Sequence, residues 1–309
     1  MLDVFLRTLP FFAIIGLGYL AGRTRFFSEE ATAYLTKFVF FFALSAMLFR
    51  FSANLRMGEV FDGRLIAGYL WGTAVVYLIA TGVALWRNLD IPTTAVEAQC
   101  AVIANSGFLG LPMFVLLFGE AAIGPVVLTL ATDLIVFSSL IVILINGSRD
   151  GRVGWRTLRT IGLGLVRNPM ILSISLGLTW SALALPIPTP IDEFLVILGG
   201  AATPGALFAI GASLSVKSAD RIEVAGWLSF AKLVVHPIFV AIGVIWLFPI
   251  DAFSAAVVVS AAALPVAGNI FMLAQHYGVA VQRVSTAILI STAASILTVP
   301  AVISWVYSP

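Results

Sequence analysis

The chain has 309 residues, of which 61% are hydrophobic and only 10% charged, with a formal net charge of +2. A water-soluble domain carries roughly 25% charged residues, so a soluble particle is excluded and the solvent for most of the surface is lipid. The small charge, with no dense basic cluster, also excludes nucleic acid as a partner. Cys100 is the only cysteine, which rules out an internal disulfide and a cysteine-only metal site.

A helix needs about 20 mostly apolar residues to cross a bilayer, and ten segments of the chain qualify. The first, 4–22, has no secretory cleavage pattern and reads as a retained membrane helix. The second is 31–50. The third, 65–86, carries Tyr69, Thr73, Tyr77 and Thr81 at intervals of four, on one face. The fourth, 95–118, holds Asn105-Ser106-Gly107-Phe108-Leu109-Gly110-Leu111-Pro112 in its middle. The fifth, 122–145, contains Asp133, read as the only acidic residue deep in a span. The longest polar connection follows, Asn146 to Asn168. The sixth and seventh are 169–185 and 192–215. The eighth, 223–248, has Lys232 and His236 on one helical face. The ninth, 252–275, holds Leu264-Pro265-Val266-Ala267-Gly268-Asn269. The tenth, 284–307, is rich in hydroxyls, with Thr286, Ser291, Thr292, Ser295 and Thr298.

Segments four and nine cannot be regular helices. Proline lacks a backbone N–H and clashes with the preceding turn, and glycine weakens a helix. In hydrocarbon, freed backbone groups are tolerated only inside protein or along a watery cavity. Two interrupted spans at corresponding places in two halves point to the binding site of a secondary transporter. A broken helix offers N–H groups to anions and C=O groups to cations or donors. Asn105, Ser106 and Asn269 add uncharged donors and acceptors. Gly107, Gly110 and Gly268 serve either close backbone approach to a solute or close helix packing. No arginine lies there, so bidentate carboxylate recognition by a side chain is not indicated.

A charge at the depth of Asp133 costs at least about 2.5–3.5 kcal/mol. With Lys232 or His236 it forms either a proton-coupling element or a static buried pair joining spans five and eight. His276 reads as interfacial. The hydroxyls of spans three and ten either line a cavity or bond helix to helix. No spacing suggests a metal, no glycine-lysine phosphate loop suggests ATP, and no nucleophile–base–orienter set suggests an enzyme. No cofactor is expected.

Lysine and arginine placement orients the chain. The connections after the odd-numbered spans hold eleven: Arg23, Arg25, Arg87, Arg149, Arg152, Arg156, Arg159, Arg167, Lys217, Arg221 and Arg283. The other side holds four: Arg7, Arg50, Arg56 and Arg64. The first set is expected in the cytoplasm, with both termini outside. The chain then divides into a five-span repeat, 1–145, a cytoplasmic connecting loop, 146–168, and a second five-span repeat, 169–309. An odd number per half inverts the second. Ala43-Leu44-Ser45-Ala46-Met47-Leu48-Phe49 in span two and Ala202-Thr203-Pro204-Gly205-Ala206-Leu207-Phe208 in span seven support the repeat weakly. The shared order of features supports it better.

On these motifs the chain resembles the auxin efflux carrier family, which includes bacterial carriers and the plant PIN-type exporters. The matching residues are Asn105 to Pro112, Leu264-Pro265 with Gly268 to Tyr277, Thr203 to Leu214, and Ser285 to Pro300. The resemblance covers the whole chain, without the large cytoplasmic loop of the long plant exporters, and so points to a compact bacterial member. It implies an all-α integral membrane protein of ten transmembrane helices. These form two inverted five-helix repeats with broken helices four and nine crossing at their prolines, as in sodium/proton antiporters and bile-acid symporters. Spans three to five and eight to ten would move as a transport bundle, elevator-fashion, against a scaffold of spans one, two, six and seven, dimeric through two and seven. Asn105, Pro112, Pro265 and Asn269 would fall at or beside the crossover. One departure is Leu44-Ser45 in span two, where many relatives have a proline.

The expected function is secondary active transport of small organic anions, auxin-like or carboxylate metabolites, across a bacterial cytoplasmic membrane. Proton coupling, sodium coupling and uncoupled transport all remain open. A channel is the alternative class, but no ring-forming motif or filter repeat is visible.

Overall fold

The computed structural model describes residues 2–55, 62–150, 154–215 and 221–307. Arg56, Arg152 and Lys217, used above to orient the chain, lie outside the described residues. Among those described, every regular element is a helix. The one β-type pairing is an isolated antiparallel bridge between Ala104 and Val266.

We number the helices in chain order. Four lie before the first break: α1 (Leu2–Arg23), α2 (Glu29–Ala53), α3 (Gly63–Trp86) and α4 (Ile91–Val102). Beyond it come α5 (Ser106–Phe118), α6 (Glu120–Arg149), α7 (Trp155–Arg167), α8 (Pro169–Ala182) and α9 (Thr189–Leu214). The last are α10 (Ile222–Leu247), α11 (Ala252–Ala262), α12 (Gly268–Tyr277) and α13 (Val281–Val306). Seven of them, α1, α2, α3, α6, α9, α10 and α13, are long and apolar enough to cross a membrane, and α7 with α8 makes an eighth candidate, bent by 66°.

Polar residues at the connections start the helices. Ser28 accepts from the Ala31 N–H at 3.1 Å and begins α2. Asp62 caps α3, Asn168 caps α8 with Pro169 behind it, and Asp251 caps α11. Each satisfies N–H groups that have no partner within the helix.

Glycines set the closest helix approaches. A Cβ on Gly211 of α9 would lie 1.9 Å from the Ile15 carbonyl oxygen of α1, and one on Gly18 2.1 Å from that of Phe208. Gly177 of α8 meets the Phe49 carbonyl of α2 in the same way. Gly68 of α3 faces Gly243 of α10. Small residues bring membrane helices together where lipid provides no hydrophobic drive.

At the centre run α4 and α11. Residues 94–102 of α4 and 255–262 of α11 are buried without interruption. Large apolar side chains at the periphery, such as Leu17 and Leu20 of α1, are exposed. That is the inside-out distribution expected in lipid.

One element departs from the sequence reading. Residues 155–167, expected within a polar loop, form α7. Gly162 and Gly164 and three arginines disguise it, but its apolar residues recur at helical spacing.

Candidate functional site

α11 ends at Ala262, three residues before Pro265, whose ring disfavours helical backbone at Leu264. α4 ends at Val102, and the chain runs extended through Ile103 and Ala104 into a π-helical turn, Ser106–Gly110. The groups freed by one break are taken up by the other. The Asn105 N–H donates to the Pro265 carbonyl at 2.9 Å, and the Ala267 N–H donates to the Ile103 carbonyl at 3.1 Å. The Val266 N–H donates to Ser291 Oγ of α13 at 3.1 Å. The Asn105 carbonyl accepts from Leu109 and Gly110.

The crossing is therefore centred on Ala104 and Val266. Pro265 takes part directly. Pro112 stands apart, in the first turn of the regular helix Leu111–Phe118. Gly110 lies against the second break, where an added Cβ would sit 2.4 Å from Leu264 Cδ1. Gly107 packs on Met170 of α8. Asn105 and Ser106 are buried, whereas Gly268 is exposed, with nothing within 4 Å of the Cβ it lacks. Among the described residues, Ser106 Oγ and Asn269 Oδ1 have no hydrogen-bond partner, nor do Gln99 Oε1 and Ser260 Oγ in the helices leading into the breaks. Nearly all buried polar groups in proteins are paired, so these four atoms leave hydrogen-bonding capacity unused at and beside the crossing.

Beside it lies a second cluster. Tyr69 of α3 donates to Asp133 Oδ1 at 2.9 Å, the Ala104 backbone N–H at the crossing also acts on this carboxylate, and Oδ2 lies within hydrogen-bond distance of no donor among the described residues. Thr73 Oγ1 is 3.1 Å from His236 Nε2. His236 Nδ1 is 3.2 Å from both Lys232 Nζ and the Ala262 carbonyl oxygen, and Lys232 Nζ also donates to that carbonyl. Ala262 is the last residue of α11, so Lys232 and His236 satisfy a carbonyl that the break orphans. The two imidazole tautomers give different patterns. With Nδ1 bare it accepts from Lys232; with Nδ1 protonated it donates to Ala262.

Asp133 and Lys232 act on each other electrostatically but form no direct ion pair, because Tyr69 and Ala262 are their nearer partners. Asp133 opens one π-helical turn, Asp133–Phe137, and Lys232 lies in another, Ala231–Val235. Such turns are frequent at functional sites.

Asp133 is not the only deeply buried acid. Glu97 of α4 is 2% exposed and bridges Arg87, at 2.7 Å, to Arg283, joining the ends of α3 and α13. A carboxylate inside the fully buried run 94–102 is the signal for it. Of the other residues singled out by sequence, Ser291 serves the break directly. Thr286 and Ser295 bond carbonyls of their own helix. Tyr77 and Thr81 keep unpartnered buried oxygens. His276 is exposed and stacks edge-on against Tyr277, over which Arg149 lies. Cys100 is buried and free.

A separate cavity of about 440 Å³ opens away from the crossing. The end of α2, the start of α6 and the connection into α9 form its walls, and Arg50 binds Asp192 there at 2.7 Å.

Residues 3–303 match a family model described as membrane transport protein. The chain is 30% identical over 298 residues to a putative malonate transporter of Rhizobium meliloti (strain 1021), covering 94% of this chain and 92% of that protein. It is 25% identical over 309 residues to the uncharacterized transporter YfdV of Escherichia coli (strain K12), covering 97% and 95%. It is 23% identical over 336 residues to a probable auxin efflux carrier component 5a of Oryza sativa subsp. japonica, covering 91% of each.

Proposed function

The chain belongs to the membrane transport protein family of auxin efflux carriers, and from that premise we propose that it is a secondary active carrier of small organic anions. It is a multi-pass membrane transporter and not an enzyme. The observation that carries the finer reading is the reciprocal hydrogen bonding of the two breaks, with a Ser106 hydroxyl that has no partner among the described residues and the open start of the last broken half-helix at Gly268.

In this reading α4 with α5 and α11 with α12 are two broken spans, and α8 is a short one. With the seven long helices they make ten, as inverted repeats 1–145 and 169–309 joined by 146–168. Reciprocal packing supports the inversion: α1 lies on α9 as α8 lies on α2, and α3 meets its counterpart α10. The scaffold is α1, α2, α8 and α9, and the remaining spans move against it. Exposed Phe41 and Phe42 of α2, and Phe194 and Ile197 of α9, suit a homodimer contact. The inner membrane, with both termini outside, is the setting that the arginine distribution favours.

A carboxylate would meet the N–H groups at the start of α12, with Asn105, Ser106 and Asn269 completing its shell. Malonate, named for one relative, is the first acid to test. Asp133, Lys232 and His236 form the proton-coupling element. The reading of a sodium-coupled or uncoupled carrier has one observation in its favour: Lys232 and His236 are already committed to the Ala262 carbonyl, a structural task. A channel is the third reading.

Counterflow in proteoliposomes distinguishes these. A carrier loaded with unlabelled malonate accelerates entry of labelled malonate, and an acid screen at two pH values, with and without sodium, reads the coupling. Uptake with no trans-acceleration for any transported acid would reject the carrier in favour of a channel.

A further inference from the structure

α7 has an apolar edge that the protein does not cover. At 100° per residue, Trp155, Leu158, Gly162 and Val166 fall within one arc of the helix. Trp155, Leu158 and Val166 are 78%, 53% and 65% exposed. Thr157, on the other side, is buried. The helix meets α8 at 66° and so does not continue that span.

Arg159 and Arg167 are exposed, and their side chains make no hydrogen bond or ion pair among the described residues. The stretch Asn146 to Asn168 contains five arginines against one aspartate. An unpartnered apolar edge beside free arginines, attached to a body already embedded in lipid, has a specific physical complement. It is a bilayer surface with negative headgroups.

We propose that α7 lies in the membrane–water interface and binds anionic phospholipid. Trp155, Leu158 and Val166 enter the acyl boundary. Arg159 and Arg167 reach the phosphates, their stems lying along the apolar edge. A second copy of the same basic face would be repelled. The lipid contact fixes the depth of the segment that joins the two halves, and with it the start of α8.

Gly162 and Gly164 allow a direct test, because neither would bring an added Cβ within 4 Å of another group. Gly162 belongs to the apolar arc and Gly164 to the opposite side. The full chain carrying G162C or G164C is labelled with an environment-sensitive thiol probe, buried Cys100 staying unreactive. Each is reconstituted into phosphatidylcholine vesicles with and without phosphatidylglycerol. The probe at 162 should be protected from an aqueous quencher at least about threefold better than that at 164, and better still with phosphatidylglycerol.

The double variant Arg159→Gln with Arg167→Gln should lose the phosphatidylglycerol gain, with about a tenfold weaker retention of that lipid in native mass spectrometry. Equal quenching at 162 and 164 would overturn the proposal. So would protection that rises with protein-to-lipid ratio, the sign of a protein partner, or a phosphatidylglycerol gain that survives loss of both arginines. The glycine pair carries the test even if the arginine variant does not fold.

Discussion

The two breaks solve one problem in different ways. In the first, residues 103–110, the chain stays buried almost throughout, and both glycines are wedged, Gly107 against Met170 and Gly110 against Leu264. In the second, Pro265 stops the helix, and the chain emerges at Gly268 into open space. Each supplies backbone groups that the other lacks, so the pair is stable where either alone would strand polar groups in hydrocarbon. In the proposed function the packed break is the frame, and the open one is the face that a solute would reach.

That division has measurable consequences. The largest concerns Asn269→Asp. A carboxylate introduced at the open break would repel an organic anion at short range. In the proposed carrier, counterflow of a transported organic acid should fall by more than about 100-fold, while the folded fraction on size-exclusion is unchanged. An equal loss of folded protein would instead make Asn269 a packing residue.

Asp133→Asn comes next. Asparagine keeps an acceptor for the Tyr69 hydroxyl, so the helix contact survives. The charge that can exchange a proton is gone. If the cluster couples transport, flux should drop about tenfold under a proton gradient and lose its dependence on pH, while counterflow without a gradient persists. Retained pH dependence would leave the cluster as a structural cap on Ala262.

How much of this was legible differs by residue. Pro265 and Gly268 announced the second break, because proline removes an N–H wherever it sits. Asn105 to Gly110 announced the first. Their mutual bonding was not readable: Ala104 and Val266 are far apart in sequence, and no local pattern encodes a two-residue bridge between them. The spacing of Lys232 and His236 puts them on one helical face. Their attachment to the Ala262 carbonyl depends on where α11 ends in space. The partners of Glu97 lie 10 and 186 positions away, beyond the reach of a local pattern. The spacing of Tyr69 and Thr73 places them on one face but does not encode the acid and imidazole they meet.

The glycines sharpen the contrast between the breaks. Gly110→Val forces branched carbons onto Leu264 in a packed core and should cost about 1–3 kcal/mol, read as a lowered Tm. Gly268→Val meets no atom, so its Tm should stay near that of the wild type. In the proposed carrier it fills the approach to the α12 N-terminus, however, and should raise the KM for a transported acid. Equal Tm losses in the two variants would erase the distinction between frame and face.

The smallest effect tests how the frame is closed. Ser291 Oγ is the acceptor for the Val266 N–H, and Val266 is buried. Ser291→Ala removes that acceptor and leaves the N–H stranded, which costs about 1–3 kcal/mol where water cannot enter. Water entry would reduce the penalty, and the open space at Gly268 lies two residues away. A Tm loss at the low end, with Val266 amide exchange accelerated and its neighbours unchanged, would mean that solvent reaches the second break. A loss at the high end would mean that the bridge is dry and that wetting begins only at Gly268.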